Sequence, residues 1–128
     1  MTPLWVFLGG GLGSLARWSL DIAWHRLGAT HPWAAFPAGI LLCNLVGCFL
    51  IGLWTGWALA RPQLAGWTPF FSVGFLGGFT TFSSFAKSTL ELVAQGHAGL
   101  ALLKIGLSVI GGLAAAYLGL RLASPVAL

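Results

Sequence analysis

The sequence predicts an all-α membrane protein in which four transmembrane helices form one domain over residues 1–128. Two observations predict this fold class. The chain is 58% hydrophobic and only 6% charged, whereas a soluble domain carries about a quarter charged residues. A helical span needs about 20 mostly apolar residues, and four stretches of the chain qualify, at about 4–24, 37–59, 67–93 and 98–122. Lipid is therefore the expected solvent for most of the surface.

Short polar connections and tryptophans define the ends of the four spans. The connections are residues 25–32, 61–63 and 95–97. Tryptophan gathers at membrane interfaces, and five tryptophans fall near the predicted span ends, namely Trp5, Trp24, Trp33, Trp57 and Trp67. The three histidines, His25, His31 and His97, are spread over different connections, which argues against a histidine metal site.

The positive charges do not favour one orientation in the membrane. Cytoplasmic loops usually carry the excess of Lys and Arg. Here each side of the membrane receives two of them: Arg61 and Arg121 on the side of the termini, and Arg26 and Lys104 on the other. This balance predicts dual topology, in which oppositely inserted copies pair as an antiparallel homodimer. The basic residues are scattered along the chain, so nucleic acid is not an expected partner.

Glycines spaced four residues apart predict close contact between helices. Small residues at this spacing let helix backbones approach each other in lipid. The chain holds three such pairs: Gly9 and Gly13, Gly52 and Gly56, and Gly74 and Gly78.

The stretch G-F-L-G-G-F-T-T-F-S-S-F-A-K at 74–87 predicts a break near the middle of the third span. Gly77-Gly78 followed by Thr80-Thr81 forms helix poorly, which places the expected break near 77–80. A break frees backbone carbonyls, and a membrane tolerates irregular backbone only where it is buried in protein or faces a cavity. Freed carbonyls from two copies on a dimer axis would suit a cation such as Na⁺.

Aromatic and hydroxyl side chains of the third span, with Asn44 of the second, suggest a path for a small anion. Helical spacing puts the rings in one stripe, Phe75, Phe79, Phe82 and Phe85, and places Thr81, Ser84, Ser88 and Glu91 in a stripe beside it. Ring edges carry partial positive charge, and hydroxyls and the amide donate hydrogen bonds. Ordinary packing also explains an aromatic stripe, and a contact with a neighbouring helix also explains Asn44, so both alternatives stay open.

The ionisable residues inside the spans do not predict an enzyme. The pairs Arg17 and Asp21, and Lys87 and Glu91, have the spacing of local ion pairs on a helix. Lys104 lies one turn before Ser108 and is long enough to snorkel to the interface. These residues supply neither a nucleophile beside a base nor paired carboxylates. Cys43 and Cys48 are expected to be reduced thiols in apolar surroundings.

Three segments resemble the Fluc (CrcB) family of fluoride channels: G-G-L-G-S-L-A-R-W at 10–18, N-L-V-G-C-F-L-I-G at 44–52 and G-F-L-G-G-F-T-T-F-S-S-F at 74–85. The resemblance covers essentially the whole chain. It implies a four-span protein of the bacterial plasma (inner) membrane, paired as an antiparallel dual-topology homodimer surrounded by lipid. It also implies two fluoride pores and a central, structural Na⁺ in each dimer, and a passive channel that exports cytoplasmic fluoride and protects against its toxicity.

The positions that match the family's motifs imply a role for individual residues. The resemblance implies a fluoride pore formed by Asn44, Thr81, Phe82, Ser84, Phe85 and Ser108. The backbone carbonyls of Gly77 and Thr80 match the positions that hold Na⁺. Arg17 matches a first-span arginine with a structural role.

The sequence departs from the family pattern at three places. Ile40 replaces the usual threonine before the asparagine segment, and Ser88 replaces an acid after the second phenylalanine. Lys104 stands where many members carry Tyr or another neutral residue. Two further functions stay open: a small four-span proton-coupled exporter, which needs a carboxylate deep in the first span where only Asp21 is available, and a non-conducting accessory subunit. A heterodimer with a related chain is a further possibility.

Overall fold

The computed structural model describes residues 1–28 and 36–124, and every regular element within these ranges is helical. Helix α1 spans Thr2–Gly28 and α2 spans Ala38–Ala60. Helix α2 stops before Arg61 because the residue that precedes a proline disfavours the helical conformation, and Arg61 accordingly lies at φ −138° and ψ 85°. His31 and Trp33, to which the sequence assigned a connection and a span end, lie outside the described residues.

The third apolar stretch forms two helices rather than one. After a 3₁₀ turn at Pro62–Trp67, helix α3 comprises a π-helical segment, Pro69–Leu76, and one α-helical turn, Gly77–Phe79. Helix α4 then spans Phe82–Ala94. The interruption predicted near 77–80 is confirmed, and it falls at the end of that range: the backbone leaves the helix at Thr80 and Thr81, which are both extended.

The last helix, α5, spans Ala98–Ala123 and contains a π-helical segment at Leu107–Gly111. Within the described part of the chain, two helices are long and apolar enough to cross a membrane by themselves, α2 and α5. The glycines and Arg17 make helix α1 less apolar, and the third stretch is interrupted. The count of four spans, the antiparallel dimer and the dual topology therefore stay predictions.

Glycines bring α1 and α3 into backbone contact. A Cβ atom on Gly9 would collide with the carbonyl oxygen of Phe70. A Cβ atom on Gly78 would collide in the same way with the carbonyl oxygen of Gly10. Gly77 and Gly78 were expected to weaken the helix, but Gly77 is helical at φ −63° and ψ −38°. Gly78 is thus required for close packing, which the predicted glycine spacing indicates correctly.

Glycines also join α2 to α5. A Cβ atom on Gly52 would collide with the carbonyl oxygen of Ala116, and one on Gly119 with that of Phe49. Helix α1 thus packs closely against α3, and α2 packs closely against α5. These two contacts position α4 and the helix break.

The continuous aromatic stripe predicted for the third span is wrong, because the break separates its two halves. Phe75 and Phe79 stack with ring centroids 6.0 Å apart and an angle of 7° between their planes. Phe79 is 5% exposed and belongs to the core. On the far side of the break, Phe82 and Phe85 form a second pair with centroids 5.4 Å apart.

Candidate functional site

The amide side chain of Asn44 holds the helix break in place. Its Oδ1 accepts a hydrogen bond from the backbone N–H of Thr81 at 2.8 Å, and its Nδ2 donates to the carbonyl of the same residue at 3.1 Å. Both polar backbone groups of Thr81 are thereby bonded although they belong to no helix. Asn44 thus contacts a neighbouring helix, one of the two roles that the sequence left open, and its Nδ2 retains a second N–H.

At the break, two backbone carbonyls lack the N–H donors that an unbroken helix would give them. In an unbroken helix the N–H of Thr81 would donate to the carbonyl of Gly77, but it donates to Asn44. The N–H of Ser84 would donate to the carbonyl of Thr80, but it donates to Thr81 Oγ1 at 3.2 Å. Gly77 and Thr80 are the two residues whose carbonyls the sequence assigned to Na⁺. Carbonyl oxygens freed in this way are hard donors that suit such an ion.

Helix α1 supports the break from its other side. Arg17 Nε donates to the carbonyl of Gly78 at 3.1 Å, and Ser14 Oγ lies 3.5 Å from the same oxygen. The predicted ion pair between Arg17 and Asp21 is not the contact that Arg17 makes. Asp21 instead lies beside His25, with Oδ1 3.8 Å from Nε2. The sequence did not single out Ser14 as a contact of this site, although it lies one turn before Arg17.

An open cavity of about 410 Å³ adjoins the break. Seven of the residues proposed for the pore or the cation site line it: Asn44, Gly77, Thr80, Thr81, Phe82, Phe85 and Ser108. The remaining wall comes from α2, α3 and α5, through Gly47, Cys48, Ile51, Ser72, Leu76 and Val109. Ser84 and Arg17 do not line this cavity. Sequence reasoning missed Ser72, whose only signal was a hydroxyl one turn and a half before Gly77.

Hydroxyl groups follow α4 away from the break. Thr81 Oγ1 bonds to the Oγ atoms of Ser83 and Ser84 at 3.1 and 3.3 Å. Ser88 Oγ donates to the carbonyl of Ser84 at 2.6 Å. Of the predicted stripe, the hydroxyls of Thr81 and Ser84 are thus bonded to each other, whereas that of Ser88 bonds to backbone carbonyls. The fourth member, Glu91, pairs with Lys87 at 3.7 Å, as the spacing predicted.

Ser108 is the hydroxyl-bearing residue of α5 that lines the cavity. Its Oγ is buried and has no hydrogen-bond partner among the described residues. Buried hydroxyls are normally bonded to protein or water, so an unpaired one on a cavity wall is a group available to a ligand. The Cys43 and Cys48 thiols are free, as predicted, and Cys48 lies on the same wall.

Lys104 does not snorkel, and the expectation that it reaches the interface is wrong. The residue is 0% exposed. Its Nζ donates to the carbonyl of Phe85 at 3.1 Å, to Thr89 Oγ1 at 3.3 Å and to Ser88 Oγ. Two of the positions that depart from the family pattern, Ser88 and Lys104, are therefore in direct contact.

Comparison with known proteins agrees with the motifs. The family model described as "CrcB-like protein, Camphor Resistance (CrcB)" matches residues 4–120. The chain belongs to this family. A relative from Renibacterium salmoninarum is 41% identical over 126 residues, covering 97% of this chain and all of the relative.

Other relatives give the same result. A protein of Acidobacterium capsulatum is 40% identical over 122 residues, covering 94% of each chain. One from Escherichia coli is 38% identical over 110 residues, covering 85% of this chain and 83% of the relative. All three relatives carry the name "Fluoride-specific ion channel FluC". By family, therefore, the chain is similar to ion channels of the membrane and not to enzymes.

Proposed function

We propose that the chain forms a fluoride-selective passive channel that lets cytoplasmic fluoride leave the cell and so protects against its toxicity. The observation that carries the proposal is the cavity at the helix break, whose wall combines Phe82, Phe85, Asn44 and the unpaired hydroxyl of Ser108. The names of the relatives support fluoride as the ion.

The wall suits an anion that must exchange its water for several weak donors. Fluoride is small and strongly hydrated, so loss of its water is the main barrier to transfer. The Ser108 hydroxyl and the second N–H of Asn44 can each donate one hydrogen bond, and ring edges of Phe82 and Phe85 add partial positive charge. Conduction requires binding that is strong enough for entry and weak enough for exit. A series of weak donors meets both requirements.

We propose that two chains pair as an antiparallel homodimer with two pores. The cavity is open in the single chain, and Phe82 on its wall is 80% exposed. A second copy would cover this ring and close the path. The balanced positive charges of the sequence support the opposite insertion of the two copies.

The same dimer would hold Na⁺ between the two helix breaks. Each chain supplies the carbonyls of Gly77 and Thr80, which have lost their helical donors to Asn44 and Thr81. One chain alone offers fewer oxygens than a hard cation usually binds. A shared position between two copies doubles the number, and the ion would then be a structural part of the dimer.

A proton-coupled exporter finds less support. Such a mechanism needs a carboxylate on the transport path, and the first-span candidate, Asp21, lies beside His25 instead of on the cavity wall. An accessory subunit that does not conduct is distinguished by experiment.

The test is fluoride efflux from liposomes that contain the purified protein, measured with a fluoride electrode after a potassium ionophore is added. We expect rapid fluoride efflux, no matching chloride efflux, and no need for a pH gradient. Efflux equal to that of protein-free liposomes would contradict the channel and favour the accessory subunit. Efflux that occurs only with a pH gradient would favour the exporter.

A further inference from the structure

The ammonium group of Lys104 is buried behind the cavity wall with all its donors in use. An ammonium has three N–H groups, and Lys104 Nζ has three acceptors: the Phe85 carbonyl at 3.1 Å, Thr89 Oγ1 at 3.3 Å and Ser88 Oγ. The residue is 0% exposed. With this bonding Lys104 cannot donate to an ion in the cavity, so any effect on such an ion is that of a fixed charge.

Neither acidic side chain of the sequence forms a salt bridge with Lys104. The sequence contains two acidic residues, Asp21 and Glu91, and the structure describes both. Glu91 pairs with Lys87 and Asp21 lies beside His25. The hydrogen-bond acceptors of Lys104 are dipoles, and Glu91, whose charge also acts on Lys104, is paired with Lys87 and forms no salt bridge with it. A charge buried in a membrane protein without a directly paired counter-charge is costly, and an anion in the adjoining cavity would lower that cost.

Lys104 lies next to two residues of the cavity wall. Its Nζ is 5.1 Å from the centroid of the Phe85 ring, and Phe85 lines the cavity. Ser108, one turn further along α5, lines it as well. An aromatic face attracts a cation whereas its edge attracts an anion. Phe85 can therefore receive Lys104 on its face and still present an edge to the cavity.

We propose that Lys104 is an affinity-determining residue, whose fixed positive charge raises the occupancy of the cavity by fluoride and for which the bound ion is the missing counter-charge. This inference rests on the proposed passage of fluoride through the cavity. Because Lys104 acts through its field, it is a positioning residue rather than a ligand. Loss of the Lys104 charge should weaken fluoride binding. Transport at saturating fluoride should slow less, because an ion that is bound less tightly dissociates more readily.

The experiment compares the fluoride concentration that gives half-maximal flux in the parent and in Lys104→Met, which keeps the length of the side chain and removes its charge. We expect this concentration to rise about tenfold, and the rise in melting temperature that fluoride causes in detergent to shrink. Lys87→Met is the matched control, because it removes an exposed positive charge from the same half of the third stretch. It should leave the half-maximal concentration within about twofold of the parent.

A second control separates the charge from its hydrogen bonds. Thr89→Val removes one acceptor of Lys104 and keeps the charge, so it should behave like the parent in fluoride affinity. If Thr89→Val raises the half-maximal concentration as much as Lys104→Met does, Lys104 merely joins two helices and the inference is overturned. If Lys104→Met does not fold, Lys104→Gln, which retains two amide donors, replaces it under the same expectations.

The outcomes distinguish this inference from the proposed function. A parent protein that conducts no fluoride overturns both. A parent that conducts, together with an unchanged half-maximal concentration in the neutral variant, overturns only the role of Lys104.

Discussion

Replacing Asn44 by alanine should destabilise the helix break by an amount that follows from two hydrogen bonds. Asn44 accepts from Thr81 N at 2.8 Å and donates to Thr81 O at 3.1 Å. A hydrogen bond contributes about 1 kcal/mol net to stability, and side-chain bonds between membrane helices average about 0.6 kcal/mol. Two such bonds predict that Asn44→Ala lowers the free energy of unfolding by about 1–2 kcal/mol. Fluoride flux should fall as well, because the break aligns the cavity wall.

The measurement is unfolding in mixed micelles by titration with a denaturing detergent, followed through tryptophan fluorescence. Thr55→Ala is the matched control. Thr55 lies on the same helix, and its Oγ1 donates at 2.8 Å to the carbonyl of Ile51 within that helix. Its loss should cost less than about 0.5 kcal/mol, as for most surface substitutions. If Asn44→Ala is no less stable than Thr55→Ala, Asn44 does not hold the break and the reasoning is refuted.

Three further predictions concern the rings, the glycine contacts and the topology. Phe82→Ile and Phe85→Ile keep apolar bulk but lose the polarised ring edge, so each should slow fluoride flux in liposomes about tenfold or more; flux at the parent rate in both would mean that the rings only pack. Gly78→Ala should lower the unfolding free energy by more than about 1 kcal/mol because of the collision with α1, whereas Gly106→Ala, where a Cβ atom meets nothing within 4 Å, should be neutral or stabilising. With both native cysteines removed, Leu122→Cys should be labelled from both sides of the membrane in cells, and labelling from one side alone would exclude dual topology.

Composition and local propensity predicted the helical architecture and the approximate location of the break, but not which residues leave the helix. Apolar length predicted α2 and α5 almost to the residue, and the proline at 62 ends α2 by local sterics. The break was expected near 77–80, because Gly77-Gly78 followed by Thr80-Thr81 forms helix poorly. The structure keeps both glycines in the helix, where Gly78 packs against the backbone of α1, and breaks at Thr80 and Thr81, where Asn44 provides the replacement hydrogen bonds. A contact between distant segments therefore decided the position.

The sequence predicted which residues form the candidate site, but it did not predict the hydrogen-bond partners of each residue. Motif positions named Asn44, Phe82, Phe85 and Ser108, and these four line one cavity. The environment of Lys104 could not be read from the sequence, because it depends on which hydroxyls of α4 face α5. Periodicity assumed one unbroken helix, and so it placed Phe75 and Phe82 on one stripe that the break divides.

The interruption at Thr80 and Thr81 also creates two helix ends of opposite sign inside the protein. Helix α4 begins at Phe82, so its first N–H groups and the positive end of its dipole point back towards the break. The preceding turn ends at Phe79 and directs its carbonyls, the negative end, to the same place. An anion and a cation would thus each meet a complementary backbone terminus only a few residues apart, without a charged side chain among the residues that line the cavity. A continuous helix of the same composition would offer neither.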